Sequence, residues 1–139
     1  MKNAKYLILT LLAGALLAGC CPCRKARVRN AEEIKRAEWQ MTQFNGRNFA
    51  AGNGYLLTFN EEGRIGGVGD CNRLMGSYTL DNNGAMKIDL LASSRMMCPN
   101  QAQEDAFMKT LGQIDSWQMD GKLLMLFAKG ELIAVFERK

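Results

Sequence analysis

Apolar and polar residues alternate with a period of two over short stretches of the chain, and turn residues separate those stretches. Trp39-Gln40-Met41-Thr42-Gln43-Phe44 alternates and then meets Asn45-Gly46, a hairpin-type dipeptide. Tyr55-Leu56-Leu57-Thr58-Phe59 reads as a strand closed by Asn60-Glu61-Glu62-Gly63, and Arg64-Ile65-Gly66-Gly67-Val68 returns along it. Residues 75–80 make the next strand, Asn82-Asn83-Gly84 turns the chain, and residues 86–90 alternate again. Asp120-Gly121 joins 116–119 to 122–127 as a two-residue hairpin, and Lys129-Gly130 leads to a last strand over 132–136. The pattern predicts a mainly β fold: a small antiparallel barrel-like domain of about eight strands.

One segment changes period. Phe107, Met108, Leu111 and Ile114 recur at helical spacing and predict one α-helix over 101–111, packed on the barrel. Asn100 is placed to cap it, with Gln103 three residues on in a variant of the capping box. Glu104 and Asp105 fall in the first turn, where the helix dipole favours acids, and Gly112 ends the run. Such a helix plugs one end of the barrel or covers a sheet edge.

The N-terminus has a different texture. Lys2 and Lys5 precede an apolar run over 6–17, broken by Thr10 and Gly14, and then comes Leu17-Ala18-Gly19-Cys20. The run reads as a secretory signal, short for a spanning helix. Its last four residues resemble a bacterial lipobox, which predicts cleavage before Cys20 and lipidation of Cys20. The expected organisation is therefore a lipoprotein signal peptide over 1–19, a lipidated flexible tether over 20–35 and a β domain over 36–139. Several acyl chains would give stable anchoring. Cys21, not Asp, follows the lipid site, which points to the outer membrane, periplasmic face. The tether lacks an apolar stripe and reads as a mobile spacer, with a helical turn near Ala31 to Ala37 as an option. Its Arg24, Lys25, Arg27 and Arg29 would lie near head groups, each adding roughly 1 kcal/mol at an anionic surface. Cys20-Cys21-Pro22-Cys23 contains a C-x-x-C, but the strand and helix that frame a redox site are missing.

Composition narrows the chemistry. Hydrophobic residues make up 47% of the chain, enough for a packed core. The formal charge of +4 falls by two without the signal segment, too little to argue for nucleic acid. There is no histidine, which removes the commonest general base and metal ligand. Gly66 to Cys71 brushes against a phosphate-loop pattern but lacks its last glycine and its helix. Asp70, Arg73 and Glu104 are candidates for a polar cluster, and the two carboxylates for glycoside chemistry, although nothing in the sequence fixes their separation. Met96-Met97-Cys98 is a conceivable copper ligand set. Plainer roles fit all of these better. Met75, Met86, Met108, Met119 and Met125 read as core filler, and Trp39 and Trp117 as core anchors. No catalytic residue, metal site or cofactor is expected.

The densest stretch is Gly66-Gly67-Val68-Gly69-Asp70-Cys71-Asn72-Arg73-Leu74-Met75-Gly76-Ser77-Tyr78. It resembles the G-C-N-R-x-x-G-x-Y signature of the META (HslJ-like) domain family. The likeness runs from Trp39 to the C-terminus. It includes Trp39, Gly66 and Gly69, then Cys71, Asn72, Arg73, Gly76 and Tyr78 of the signature. Ser94-Arg95-Met96-Met97-Cys98 follows, then Glu104, Phe107 and Leu111, then Leu124 and Leu126. Asp70 stands where the family usually has Gly, and Ser94 and Met97 replace Thr and Ala. The resemblance implies a small barrel-like fold, an envelope location and no defined enzyme activity, with links to heat-shock induction and antibiotic tolerance. It also implies a disulfide between Cys71 and Cys98, which match the family's paired cysteine segments. With Cys20 acylated, four thiols remain and allow three pairings; two packed free thiols are the alternative. Two functional readings follow. One is a non-enzymatic envelope lipoprotein, held to the membrane by its lipid, with an envelope protein as candidate partner and no nucleic acid. The other is a lipocalin-like carrier of a small apolar ligand.

Overall fold

The computed structural model describes residues 21–50 and 54–139. Cys20 and the segment over 1–19 lie outside the described residues. In chain order the elements are α1 (Cys21–Ile34), β1 (Glu38–Phe44), β2 (Arg47–Asn48), β3 (Leu56–Phe59), β4 (Arg64–Val68), β5 (Arg73–Leu80), β6 (Met86–Ser93), α2 (Gln101–Leu111), β7 (Ser116–Asp120), β8 (Leu123–Ala128) and β9 (Glu131–Arg138).

All strands belong to one antiparallel sheet in the order β6-β5-β4-β3-β1-β9-β8-β7, with β2 paired to β1 outside this path. The sheet curls into a nearly closed barrel: Ala85 bridges to Ser116, and Met86 N donates to Asp115 O at 3.1 Å. Alternation sets the inner face, because successive side chains on a strand point to opposite sides. Trp39, Met41 and Phe44 of β1, Leu57 and Phe59 of β3, Leu124 and Leu126 of β8, and Ala134 and Phe136 of β9 are all buried. The turns use residues suited to left-handed backbone: Asn45 (φ 47°) and Gly46 (φ 75°) after β1, and Lys129 (φ 52°) and Gly130 (φ 79°) after β8.

Helices close the two ends. Helix α2 lies over the end where β1 finishes and β3 begins, with Phe107 fully buried against Phe44 and Tyr55 at centroid distances of 5.8 and 5.1 Å. Helix α1 extends well before the helical turn near Ala31 to Ala37 that the sequence admits in an otherwise mobile spacer. Of its apolar residues at helical spacing, Ala31 and Ile34 are buried at the start of the barrel and Val28 is exposed. Trp39 Nε1 donates to Ile34 O at 3.0 Å, and Arg138 pairs with Glu33 at 3.2 Å, so the last turn of α1 is pinned to β1 and β9. Among the described residues no helix is long and apolar enough to cross a membrane.

Three local expectations change. The β7–β8 turn is Gly121-Lys122, one position later than the Asp-Gly pattern suggests, because Asp120 pairs with Leu123. Strand β5 begins earlier than its alternating run, at Arg73, and β6 ends later than its own, at Ser93, so that the segment after Asn72 is already in the ladder. Met75 is 68% exposed on the outer face, and Met125 lies on the opposite side of β8 from Leu124 and Leu126, so these two methionines are not core filler. Met86 is core, and Met108 and Met119 pack against its margin.

Candidate functional site

The residues singled out by the sequence converge on the turn between β4 and β5 and on the N-terminal part of α2. Gly69 N donates to Asn72 O at 2.8 Å, closing a tight turn, and Tyr55 N donates to Gly69 O at 2.9 Å, tying the turn to the entry of β3. Tyr55 is bulky and holds φ 57°, a costly conformation kept by these bonds and by its ring packing on Phe107 and Phe49.

Asn72 is fully buried and satisfied on both sides of its amide. Its Oδ1 accepts from Met96 N at 2.5 Å and Ser94 Oγ at 2.9 Å, and its Nδ2 donates to Met96 O at 3.1 Å and to Glu104 Oε1. That set fixes the orientation of the amide, since the reverse would aim an oxygen at a carboxylate. Cys98 Sγ lies 3.1 Å from Nδ2. Asn72 therefore clamps the 94–98 segment to the barrel rim through both backbone groups of Met96.

Glu104 is 1% exposed, the one buried charged residue of the described core. An unpaired carboxylate there would be costly, but its oxygens accept the N–H groups of Cys71 and Asn72, each at 3.2 Å, and the Asn72 amide. Burial alone would raise its pKa. The bonds from the Asn72 side chain and from the backbone of Asn72, Cys71 and Asp70 outweigh burial and hold the carboxyl below the usual glutamate range. Gly69 is required beside it: a Cβ there would sit 2.6 Å from Glu104 Oε2.

The Cys71–Cys98 disulfide spans this assembly, with Cα atoms 5.7 Å apart and the partners 27 positions apart in sequence. It consumes the thiol that a Met96-Met97-Cys98 copper set would need. Among the described residues no group of three or more His, Cys, Asp or Glu could hold a metal ion. The expected Asp70–Arg73–Glu104 cluster does not form. Asp70 accepts from Asn100 N and Nδ2 at 3.3 and 3.4 Å, while Arg73 is exposed and bonds through its backbone N to Ser94 Oγ at 3.1 Å. Asn100 makes no side-chain cap on α2, and Gln103 reaches Tyr55 Oη at 3.1 Å instead of its own helix end.

The remaining motif residues are structural in place. Trp39 is fully buried. Gly76 faces Ile65 next to the β5–β6 bulge. Tyr78 stacks edge-on to Phe59 at 5.0 Å and donates its hydroxyl to Asn60 O at 2.5 Å. Met96 is 52% exposed.

This arrangement of signature, clamp and disulfide coincides with a family model, the META domain, that matches residues 32–139. The chain belongs to the META domain family. A META-like fold recurs in solved structures. One is an NMR structure of a protein from Burkholderia xenovorans, 25% identical, with a TM-score of 0.61 over 80% of this chain and 87% of that one. Another is a crystal structure of a DUF4847 family protein from Bacteroides vulgatus, 16% identical, with a TM-score of 0.59 over 78% of this chain and 96% of that one; at that identity the likeness is one of fold alone. No curated protein matches the chain.

The pattern also contained a cue to Glu104 that the dipole argument passes over. Glu104 lies three positions before Phe107 and seven before Leu111, on the core-facing stripe of α2. A charge on that stripe signals a buried partner.

Proposed function

We propose that this META domain protein is a non-enzymatic envelope lipoprotein: a compact binding or structural module, lipidated at Cys20 and held at the outer membrane on the periplasmic side, in the stress-tolerance setting that the family resemblance implies. The observation that carries the non-enzymatic reading is the state of Glu104. The one buried carboxylate of the described core has its oxygens committed to Asn72 and to the Cys71 turn, which leaves it neither basic nor accessible. Asp70 is likewise engaged with Asn100. The disulfide suits an oxidising compartment. The signal-type run and the Leu17-Ala18-Gly19-Cys20 box support the anchor.

The carrier reading needs an empty barrel. Trp39, Met41, Leu57, Leu74, Met86, Ile88, Leu124, Leu126 and Phe136 are almost wholly buried and fill the interior. Two measurements test the proposal. Wild type should partition into detergent with an acylated N-terminal Cys20, and Cys20→Ser should not; equal partitioning rejects the anchor. Native mass spectrometry of the purified protein should give the mass of the lipidated chain alone; a co-purifying small apolar molecule would favour the carrier.

A further inference from the structure

Helix α1 is asymmetric in both charge and support. Arg24, Lys25, Arg27 and Arg29 fall within its first nine residues with no acid among them, whereas Glu32 and Glu33 lie at its barrel end. The first turn carries no acid and the last turn no base. This order opposes the helix dipole, whose N-terminal end is positive and repels cations. The ion pairs among the described residues use Glu32, Glu33 and Lys35 from this region, but not Lys25, Arg27 or Arg29. Those three cations are exposed, as is Val28 at 41%.

Support is equally one-sided among its described side chains. The buried ones are Ala31 and Ile34, and the Trp39 and Arg138 bonds reach Ile34 and Glu33. Toward its start, Arg27 and Asn30 line only a shallow groove of about 490 Å³ with Asn82, Asn83 and Gly84. A helix of this length has little stability of its own in water. The stretch from Lys25 to Arg29 thus combines exposure, unfavourable dipole placement and unpaired positive charge. An anionic surface corrects all three at once.

We propose that the stretch of α1 from Arg24 to Arg29 docks on an anionic phospholipid bilayer, with Lys25 and Arg29, four residues apart on one face, and Val28 beside them meeting the head-group layer. The occupant is set by charge complementarity and by chain position, since this basic turn directly follows the lipid site at Cys20; in that respect the inference rests on the lipoprotein reading. Head groups neutralise the cations, and lipid at Cys20 holds the helix within a Debye length of the surface. The α1 helix, about 21 Å long, then acts as a stiff spacer that sets the orientation of the barrel over the membrane.

The test is hydrogen exchange on the full mature protein, purified from membranes, checked by mass for acylation at Cys20, and reconstituted into vesicles. In vesicles containing phosphatidylglycerol, amides in the stretch from Arg24 to Arg29 should exchange roughly fivefold or more slowly than in pure phosphatidylcholine. The difference should vanish near 1 M salt, where the Debye length is about 3 Å. It should also vanish when Arg24, Lys25, Arg27 and Arg29 are all replaced by Gln, while exchange in β1 and β9 stays the same. Equal exchange on both vesicle types, or protection that persists in the Gln variant, overturns the proposal. If the purified chain carries no acyl group, the anchor reading has failed by itself. The docking proposal is then judged on that unacylated chain by vesicle flotation, where salt-sensitive preference for the anionic vesicles is still required and its absence overturns it.

Discussion

Asn72 and Glu104 lie 32 positions apart in sequence and meet through two hydrogen bonds, one from the Asn72 backbone N–H and one from its side-chain amide. Each residue is buried, and each satisfies the other. The pair joins the β4–β5 turn to helix α2. It stands beside the disulfide, which joins the same two segments covalently.

Truncating the pair from the Asn72 side should be costly. Asn72→Ala leaves Glu104 short of a donor and releases both backbone groups of Met96. The expected loss is about 3 kcal/mol, read as a lower urea midpoint with an unchanged slope. A loss under about 0.5 kcal/mol would mean that water replaces the amide without penalty.

Acid should weaken the fold through Glu104. Its carboxyl is held below its ordinary range in the folded protein, because the donors around it outweigh the effect of burial. A depressed folded pKa contributes stability that is present above the unfolded pKa and lost as pH falls through the folded one. Wild type should therefore lose stability between neutral pH and about pH 3, and Glu104→Gln, less stable at neutral pH, should show a shallower acid limb in urea melts. Parallel limbs would assign the acid sensitivity elsewhere.

Asn72→Asp should invert that slope. Two carboxylates in this site cannot both stay ionised, so one takes a raised pKa. Stability supplied by a raised pKa is greatest at low pH and is lost as pH rises. The variant should melt at a higher temperature at pH 5 than at pH 8, the reverse of wild type over its acid limb. A variant whose melting temperature rises with pH would show that the second charge escapes to solvent.

Adjacent glycines in β4 should respond differently to alanine. A Cβ on Gly67 would come within 2.0 Å of Leu56 O, a backbone atom that cannot step aside, whereas one on Gly66 meets Thr58 Oγ1 at 3.4 Å. Gly67→Ala should cost about 3 kcal/mol or prevent folding, and Gly66→Ala less than about 1 kcal/mol. Thermal melts of the two variants side by side give the answer.

Reduction should destabilise the protein without dissolving the site. Closing a loop of 27 residues is worth roughly 3 kcal/mol in the chain-entropy model. The Asn72–Glu104 bonds still join the same segments after reduction. Cys71→Ala/Cys98→Ala should keep its circular dichroism spectrum and lose about that amount in urea. A non-reducing peptide map of wild type should show the cross-linked pair.

Much of the architecture is legible in the alternation of side chains. The hairpin at Asn45-Gly46, the strands around Gly66 and Gly67 and the helix Gln101–Leu111 all follow from local period and turn chemistry. Helix α1 is legible only as an optional turn near Ala31 to Ala37, because two apolar residues and a tertiary bond to Trp39 hold it, and neither makes a stripe. Met75 misleads because it follows the buried Leu74 on β5 and so points to the opposite, outer face of the sheet. The motif names Asn72 and Glu104 but not their contact. Residues so far apart carry no periodic relation, and only the closure of the barrel brings them together.

The first strand of the domain and its last are neighbours, with Trp39 opposite Arg138 and Phe44 opposite Ala134. Among the described residues, strand β9 is the one strand that pairs along both the five strands from β6 to β1 and the β8–β7 pair, which otherwise meet at the Ala85–Ser116 bridge and the Met86–Asp115 bond. A ribosome or an export channel that delivers this chain from its N-terminus therefore supplies the keystone last. Until residues 131–138 emerge, one half of the sheet has an open margin along β1 and Phe136 is missing from the interior. A chain that ends before Glu131 lacks the strand that pairs along both margins, and its two half-sheets are left to meet at the Ala85–Ser116 bridge.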